Sequence, residues 1–139
     1  MARLYEPPSW VGLSPADYSK FLARKAAALR RRDAKRGGTY SLAEAKQAIH
    51  KAFCESDGLD PYDGLPMDPA LIGQYDNATS KRGRTAYKKW FSRLPTVDHV
   101  NAEPVAEFMV LSWQTNDAKG DMSRDEFIAY CKRVVAMSS

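Results

Sequence analysis

The apolar positions of the first 55 residues recur at helical spacing in two segments, and each segment has a clear start. Ser14 followed by Pro15 favours a helix start, because serine can cap the first turn and proline fits the first helical position. We expect this helix to end near Arg36, before a glycine pair. Residues 41–44 (Ser-Leu-Ala-Glu) form a capping box. The apolar residues spaced along one face of the helix that it opens are Leu42, Ala45, Ile49, Ala52 and Phe53.

The remainder of the chain changes from irregular to strand-like and then to helical patterning. Residues 55–77 are rich in glycine, proline and aspartate and predict turns. Residues 85–94 have the spacing of a short amphipathic helix ended by a proline. Two β-prone segments follow at 96–100 and 107–113, and a second capping box at 123–126 opens a terminal helix. We expect its inner face to hold Phe127, Tyr130, Cys131, Val134 and Val135.

This order of elements predicts an α+β fold, in which a two-stranded hairpin with a helix carries two N-terminal helices packed on it. No internal repeat and no long linker divides the 139 residues, which suits one compact domain. Within that domain we distinguish a basic helical region at 1–54 from a core region with a C-terminal helix at 55–139.

Basic residues are concentrated in two parts of the chain, although the net charge is only +4. Residues 20–36 hold eight basic side chains and one acid, and residues 81–93 hold six and no acid. A solvated surface explains either run alone, but two dense runs beside aromatic residues favour a nucleic acid held through its phosphates. The candidate nucleic-acid-binding residues are Arg24, Lys25, Arg30, Arg31, Arg32, Lys35, Arg36, Lys81, Arg82, Arg84, Lys88 and Lys89.

The composition excludes several other classes of protein. No apolar run approaches the ~20 residues of a membrane span, so no membrane partner is expected. The first residues lack the long apolar stretch of a secretory signal, which favours a cytoplasmic location. Cys54 and Cys131 are the only cysteines, so a disulfide framework and a four-thiolate zinc site are excluded. We interpret both as buried or incidental thiols.

One short constellation in the second half of the chain carries candidate chemistry. Asp98 and His99 adjoin a β-prone segment, and Asn116 follows 17 positions after His99. Lys119 comes shortly afterwards, followed by Gly and Asp. Over roughly residues 62–137, this pattern resembles the HNH, or ββα-metal, endonuclease superfamily. The resemblance implies a ββα-metal core in which His99 is the general base. Lys119 is a candidate contact of the scissile phosphate, with a solvated surface lysine as the alternative. The resemblance also implies that Asp98 and Asn116 hold one divalent cation.

These residue types suit the hydrolysis of a phosphodiester bond. An imidazole can take a proton from water near neutral pH. A hard dication held by a carboxylate and an amide oxygen keeps coordination positions for water and phosphate. We therefore expect Mg²⁺, with Mn²⁺ or another divalent cation as alternatives. Because adjacent strand residues point to opposite faces, we expect Asp98 and His99 at a strand end, where the loop at 100–104 redirects the chain.

The chain departs from the family pattern at two places. In many members a downstream cysteine pair binds a structural zinc ion, and that pair would fall at Ser112 and Thr115. No structural zinc is therefore expected. The middle Asn of the family motif would align near Glu107, which we expect to support the loop between the strands only imperfectly.

Two other functions stay open on the sequence alone. A non-catalytic nucleic-acid-binding protein, on an HNH fold that has lost activity, explains the charge but leaves the Asp-His…Asn pattern without a role. Residues 115–126 are similar to an EF-hand calcium loop, but Thr115 would be the first ligand and Lys119 would replace an oxygen at the fifth position. The function that the sequence favours is a metal-dependent endonuclease acting on DNA, with RNA as the alternative substrate.

Overall fold

A computed structural model of the protein describes residues 4–74 and 89–138. Its elements are helices α1 (Pro15–Ala34) and α2 (Leu42–Glu55), a 3-10 helix (Pro69–Leu71), strands β1 (Pro95–His99) and β2 (Phe108–Ser112), and helices α3 (Trp113–Lys119) and α4 (Arg124–Met137). The predicted α+β class is confirmed. The helix predicted at 85–94 lies partly outside the described residues; Lys89 and Trp90 are helical, and residues 91–93 form a turn. None of the described helices is long and apolar enough to cross a membrane.

The helix starts predicted from capping residues are confirmed. The side chain of Ser14 caps α1, and Ser41 and Ser123 form reciprocal capping boxes with the glutamates three residues later. Helix α1 ends at Ala34, two residues before the predicted end. Gly37 follows with a φ of 90°, a conformation that glycine adopts without a steric cost. The chain therefore reverses within a few residues and leads directly into α2.

Strands β1 and β2 form an antiparallel hairpin whose two faces are covered by different helices. The pairing runs from Pro95 opposite Ser112 to His99 opposite Phe108. Phe108 belongs to the hydrophobic core and lies on the face that packs against α2. His99 shares this face because it is paired directly with Phe108, whereas Asp98 projects from the opposite face towards α3. The hairpin therefore lies between the N-terminal helices and α3.

An aromatic cluster holds α1 and α2 together. The ring of Phe53 on α2 meets Tyr18 and Phe21 of α1 edge to face, with centroid distances of 5.9 and 5.5 Å. Trp10 stacks on the same Phe53 ring, and its indole nitrogen donates to the Phe53 carbonyl oxygen. Such pairs contribute about 0.5–1.5 kcal/mol each beyond the burial of their area. The two N-terminal helices thus form a stable support for the hairpin.

The terminal helix α4 differs from the prediction. It has no buried residue, and Tyr130 and Val134 are 48% and 47% exposed. Phe127 contacts the ring of Tyr62, with a centroid distance of 5.8 Å. The expectation of a buried inner face is therefore wrong. Helical periodicity identifies an amphipathic helix, but it does not show whether other residues cover the apolar side.

The two cysteines lie on the surface of the described residues. Cys54 on α2 and Cys131 on α4 are both exposed, so of the two interpretations, buried or incidental thiols, the first is wrong. Partial desolvation and the neighbouring Glu55 raise the pKa of Cys54. Its thiol therefore stays protonated near neutral pH, the form in which cysteine is a poor nucleophile.

The acidic segment after α2 forms the predicted turns up to residue 74, whereas residues 75–77 of that prediction lie outside the described residues. Two of the described residues anchor this segment. Asp60 is 1% exposed and accepts hydrogen bonds from the amide and the hydroxyl of Ser112 and from the amide of Tyr62. Arg93 donates to the carboxylate of Asp63 and to two carbonyl oxygens of the same segment. Because Ser112 is the N-cap of α3, Asp60 fixes the start of that helix.

Asp60→Asn is expected to destabilise the protein by about 1–3 kcal/mol at pH 7, because the amide cannot accept all of these hydrogen bonds. Burial alone would raise the pKa of Asp60, but the hydrogen bonds from Ser112 and Tyr62 outweigh it and lower the pKa. The contribution of this carboxylate is therefore complete above pH ~4 and is lost as the pH falls through the lowered pKa. Urea unfolding of the wild type and of Asp60→Asn between pH 7 and pH 3 measures their difference in unfolding free energy. This difference should become smaller as the pH falls.

Asp57→Asn is the matched control for that experiment. Asp57 is exposed and accepts one hydrogen bond, from the amide of Leu59, so its replacement should change stability little at any pH. Equal effects of the two substitutions would contradict the anchoring role of Asp60.

Candidate catalytic site and basic cleft

Asp98 and Lys119 form a partly buried ion pair between β1 and α3. Lys119 Nζ lies 2.8 Å from Asp98 Oδ2, and the two side chains are 7% and 16% exposed. The other oxygen of Asp98 accepts the amide of His99 at 2.9 Å. A buried carboxylate is costly unless a charge compensates it. The structure therefore brings together the predicted metal ligand and the predicted phosphate contact, with the ammonium acting as the counter-ion of the carboxylate.

Asn116 lies one turn before Lys119 on the same side of α3. Its Nδ2 is 3.1 Å from Thr96 Oγ1 and 3.4 Å from the carbonyl oxygen of Val97. A carbonyl oxygen can only accept, so the amide nitrogen must be the atom that faces β1. The Oδ1 atom of Asn116 is consequently directed away from these two acceptors.

The side chains of Asp98 and Asn116 fit a hard divalent cation in their chemistry. Carboxylate and amide oxygens are ligands that Mg²⁺ accepts, with water and phosphate completing its coordination. No group of three or more His, Cys, Asp and Glu side chains is gathered within 4–74 and 89–138. Two protein ligands would therefore hold such an ion, and it would compete with the ammonium of Lys119 for the same carboxylate.

The imidazole of His99 lies across the strand from these groups. Its Nε2 is 2.7 Å from Oδ2 of Asp33, which also accepts the hydroxyl of Tyr40 at 2.6 Å. Asp33 is on α1 and is 2% exposed. Strand β1 stays regular through His99, so the following loop does not redirect the Asp98–His99 pair. The predicted base and the predicted cation ligands consequently face opposite sides of β1.

The loop between β1 and β2 is held mainly by main-chain contacts and by α1. The carbonyl oxygen of Glu107 accepts the amide of Val100 at 2.9 Å, whereas the Glu107 side chain is exposed. Arg36, at the end of α1, donates to the carbonyl oxygen of Ala102 at 2.8 Å. Glu107 therefore closes the loop through its backbone. Arg36, which the sequence suggested as a nucleic-acid contact, is engaged by this loop.

A cleft of about 460 Å³ follows the outer edge of β1, between α1 and α3. Four successive positions, 94–97, line it, although alternate side chains of a strand face opposite sides. Because all four positions line the cleft, it follows the edge of the strand and not one of its faces. Its α1 side carries Arg24, Lys25 and Arg32, and its α3 side carries Trp113 and Asn116.

The basic side of this cleft has no acidic partner among the described residues. Arg24, Lys25 and Arg32 take part in none of the ion pairs of residues 4–74 and 89–138. Burial, together with the charges of Arg32 and Arg24, lowers the pKa of Lys25. A lowered lysine pKa means that the ammonium lacks compensation. The cleft therefore favours an anionic ligand.

The other predicted nucleic-acid contacts are more dispersed. Arg30, Arg31 and Lys35 are exposed on α1 or at its end, and none of them lines the cleft. Lys89 is also exposed. The remaining predicted contacts, Lys81, Arg82, Arg84 and Lys88, lie outside the described residues.

The segment that is similar to an EF-hand loop contains parts of two helices. Helix α3 covers residues 115–119, the first five positions of that loop, and α4 begins at Arg124. A calcium loop turns the ligands of its odd positions around one ion, which a helical backbone does not do. The structure therefore contradicts the EF-hand alternative.

Sequence reasoning missed Asp33 and Tyr40. The buried stripe of α1 contains Leu22, Ala26 and Leu29 and continues at helical spacing to Asp33. An acid on the apolar side of a helix needs a buried partner, because aspartate is almost never fully buried alone. This spacing is the signal that Asp33 lies on the buried side of α1 and needs a buried partner, although the residues around it are basic.

Comparisons of the chain with protein-family models, with curated proteins and with solved structures gave no match. The resemblance to HNH endonucleases therefore depends on the residue pattern itself.

Lys119→Met is expected to destabilise the protein by about 1–3 kcal/mol, because it leaves the half-buried carboxylate of Asp98 without its counter-ion. The double variant Asp98→Asn/Lys119→Met should lose less unfolding free energy than the two single variants lose together. A double-mutant cycle from urea unfolding measures this difference. Lys51→Met is the control, since Lys51 pairs with Glu55 at 3.7 Å on the surface and such pairs contribute at most about 1 kcal/mol. If the Lys119 variant is as stable as the Lys51 variant, the Asp98–Lys119 pair does not make the expected contribution to stability.

Proposed function

We propose that the protein is a metal-dependent endonuclease of the HNH type that hydrolyses phosphodiester bonds in DNA. One observation carries the proposal: α3 begins directly after the hairpin and holds Asn116 and Lys119 against the side of β1 that bears Asp98. This hairpin-plus-helix order is the one that the residue pattern implies. Of the four candidate catalytic and metal-ligating residues, Asn116 lines the basic cleft along the edge of β1, and this cleft supports a polyanionic substrate beside them.

The two-faced arrangement of β1 suits a substrate at the edge of the strand. No second strand among the described residues pairs with the outer edge of β1. A phosphate at that edge is accessible from the face that bears Asp98 and from the face that bears His99. Arg24, Lys25 and Arg32 would contact neighbouring phosphates, which positions the backbone without reading its bases. An RNA backbone offers the same phosphates and is the alternative substrate.

In the proposed mechanism, His99 takes a proton from a water molecule at Nδ1, because its Nε2 is engaged by Asp33. The resulting hydroxide forms a bond to phosphorus, and the bond from phosphorus to the leaving oxygen breaks. Asp98 and Asn116 would hold the divalent cation, Mg²⁺ or Mn²⁺, which when bound stabilises the charge on the phosphate and on the leaving oxygen. Lys119, released from Asp98, can then contact the phosphate as a cation.

A second candidate function is nucleic-acid binding without catalysis. The observation that favours it is the Asp98–Lys119 ion pair, which already neutralises the carboxylate, together with the position of His99 across the strand. Such a protein would keep the basic cleft and its salt-dependent affinity while lacking a competent site for hydrolysis.

His99→Ala is expected to lower cleavage of supercoiled plasmid by at least about 10²–10⁴-fold, because the general base is lost, while DNA affinity changes little. Cleavage in Mg²⁺, Mn²⁺, Ca²⁺ and EDTA measures the effect. His50→Ala is the control: His50 hydrogen-bonds to the hydroxyl of Tyr18 at 2.8 Å, so this variant should lose stability but keep cleavage. Cleavage that survives EDTA, or that persists in the His99 variant, would contradict the proposal. Salt-sensitive binding without any cleavage would support the second candidate.

Replacing Arg24, Lys25 and Arg32 together with glutamine is expected to weaken DNA binding and to flatten its salt dependence. Each phosphate contact that is lost should lower the slope of log affinity against log salt by about 0.9 for duplex DNA. The control replaces Arg30, Arg31 and Lys35 with glutamine, which removes the same charge outside the cleft. Fluorescence-anisotropy titrations at several salt concentrations give both slopes. If the two variants have equal slopes of log affinity against log salt, the cleft is not the specific site of DNA binding.

A further inference from the structure

We propose that Asp33 is the positioning residue of His99 and fixes the imidazole in the tautomer that carries its proton on Nε2. The inference rests on the proposed function only for its catalytic consequence. The tautomer itself is a property of the folded protein. Asp33 belongs to α1, outside the part of the chain that resembles HNH endonucleases.

The hydrogen-bond geometry determines the tautomer. Oδ2 of Asp33 lies 2.7 Å from Nε2 of His99, and an ionised carboxylate can only accept. Nε2 must therefore carry a hydrogen, whether the imidazole is neutral or charged. In the neutral form the lone pair then belongs to Nδ1, to which none of the described residues donates a hydrogen bond. Nδ1 is consequently the basic nitrogen.

Two further contacts keep the carboxylate of Asp33 in place. Tyr40 donates its hydroxyl to the same Oδ2 at 2.6 Å. Burial and this hydrogen bond raise the pKa of Tyr40, so the phenol remains a donor near neutral pH. Arg36 lies 3.9 Å from the other oxygen, Oδ1. One oxygen of the carboxylate is thus hydrogen-bonded and the other lies near a positive charge, which favours its orientation towards His99.

The chain around Asp33 is built for close approach to the hairpin. The amide of Gly38 donates to the carbonyl oxygen of Asp33 at 2.8 Å. A Cβ atom at Gly38 would lie only 2.7 Å from the carbonyl oxygen of Pro104, in the loop that follows β1. Phe108 contacts the rings of both His99 and Tyr40, with centroid distances of 5.3 and 6.2 Å. The imidazole is therefore held between an aromatic ring and the carboxylate.

This arrangement matches the chemistry that a general base requires. When Nδ1 takes the proton of water, the imidazole becomes a cation, and the adjacent carboxylate stabilises that charge. Asp33 itself keeps its charge and takes no proton in this step. A wrong tautomer would present N–H at Nδ1 and leave no lone pair for the water.

The test is the tautomer of His99, read from its ¹⁵N imidazole shifts in two-dimensional NMR spectra above the pH at which the ring is protonated. The wild type should show a protonated Nε2. Asp33→Asn can present its amide N–H₂ to the ring and should move the proton to Nδ1. Asp60→Asn, a second buried aspartate with no contact to His99, is the control for general destabilisation and should leave the tautomer unchanged.

The catalytic consequence is measured as cleavage rate and DNA affinity in the same variants. Asp33→Asn should lower the cleavage rate by about 10²–10⁴-fold with little change in affinity. A wild-type spectrum with the proton on Nδ1 would overturn the inference, and this result needs no variant to fold. An Asp33→Asn variant that folds and leaves both the tautomer and the cleavage rate unchanged would also overturn it, because an amide oxygen can keep the tautomer but cannot stabilise the imidazolium by charge. If the wild type shows the protonated Nε2 but cleaves no nucleic acid, the positioning by Asp33 stands and the proposed function fails.

Discussion

The buried carboxylate of Asp33 connects α1 with the segment that precedes α2 and with the distant strand β1. It lies on the apolar side of α1, accepts the hydroxyl of Tyr40 and meets the imidazole of His99, 66 positions further along. A charge in such a place destabilises the fold unless it is hydrogen-bonded, so these donors are a condition of folding as well as a feature of the site. This contact links α1 directly to β1, the strand whose outer edge the basic cleft follows.

The alternation of side chains along β1 is the second constraint on the site. It places Asp98 next to α3 and His99 next to α1, so each side chain is held by a different helix. A catalytic arrangement that uses both residues must therefore work across the edge of the strand. The cleft at 94–97 lies along that edge, and Asn116 is on its α3 side.

Local signals predicted much of the fold, and long-range contacts account for what they missed. The caps at Ser14, Ser41 and Ser123 and the β-prone composition of the two strands depend on neighbouring residues, so they can be read from the sequence. The exposure of α4 depends on what packs against it, and the hydrophobic periodicity of the helix carries no information about that. The Asp33–His99 contact and the Asp98–Lys119 pair join separate elements, so no spacing rule predicts either of them.

Among the described residues no strand pairs with the outer edge of β1, and this matters for self-association. An unpaired strand edge offers main-chain donors and acceptors to any other extended chain and is a common start of aggregation. Here the cations of α1 stand beside that edge, and β1 begins with Pro95, which has no amide hydrogen to donate. A second copy of this strand would have to bring its own row of cations to the same place. Among the described residues, repulsion between like charges therefore disfavours the addition of a second copy at this edge, whereas a polyanion is attracted to the same cations.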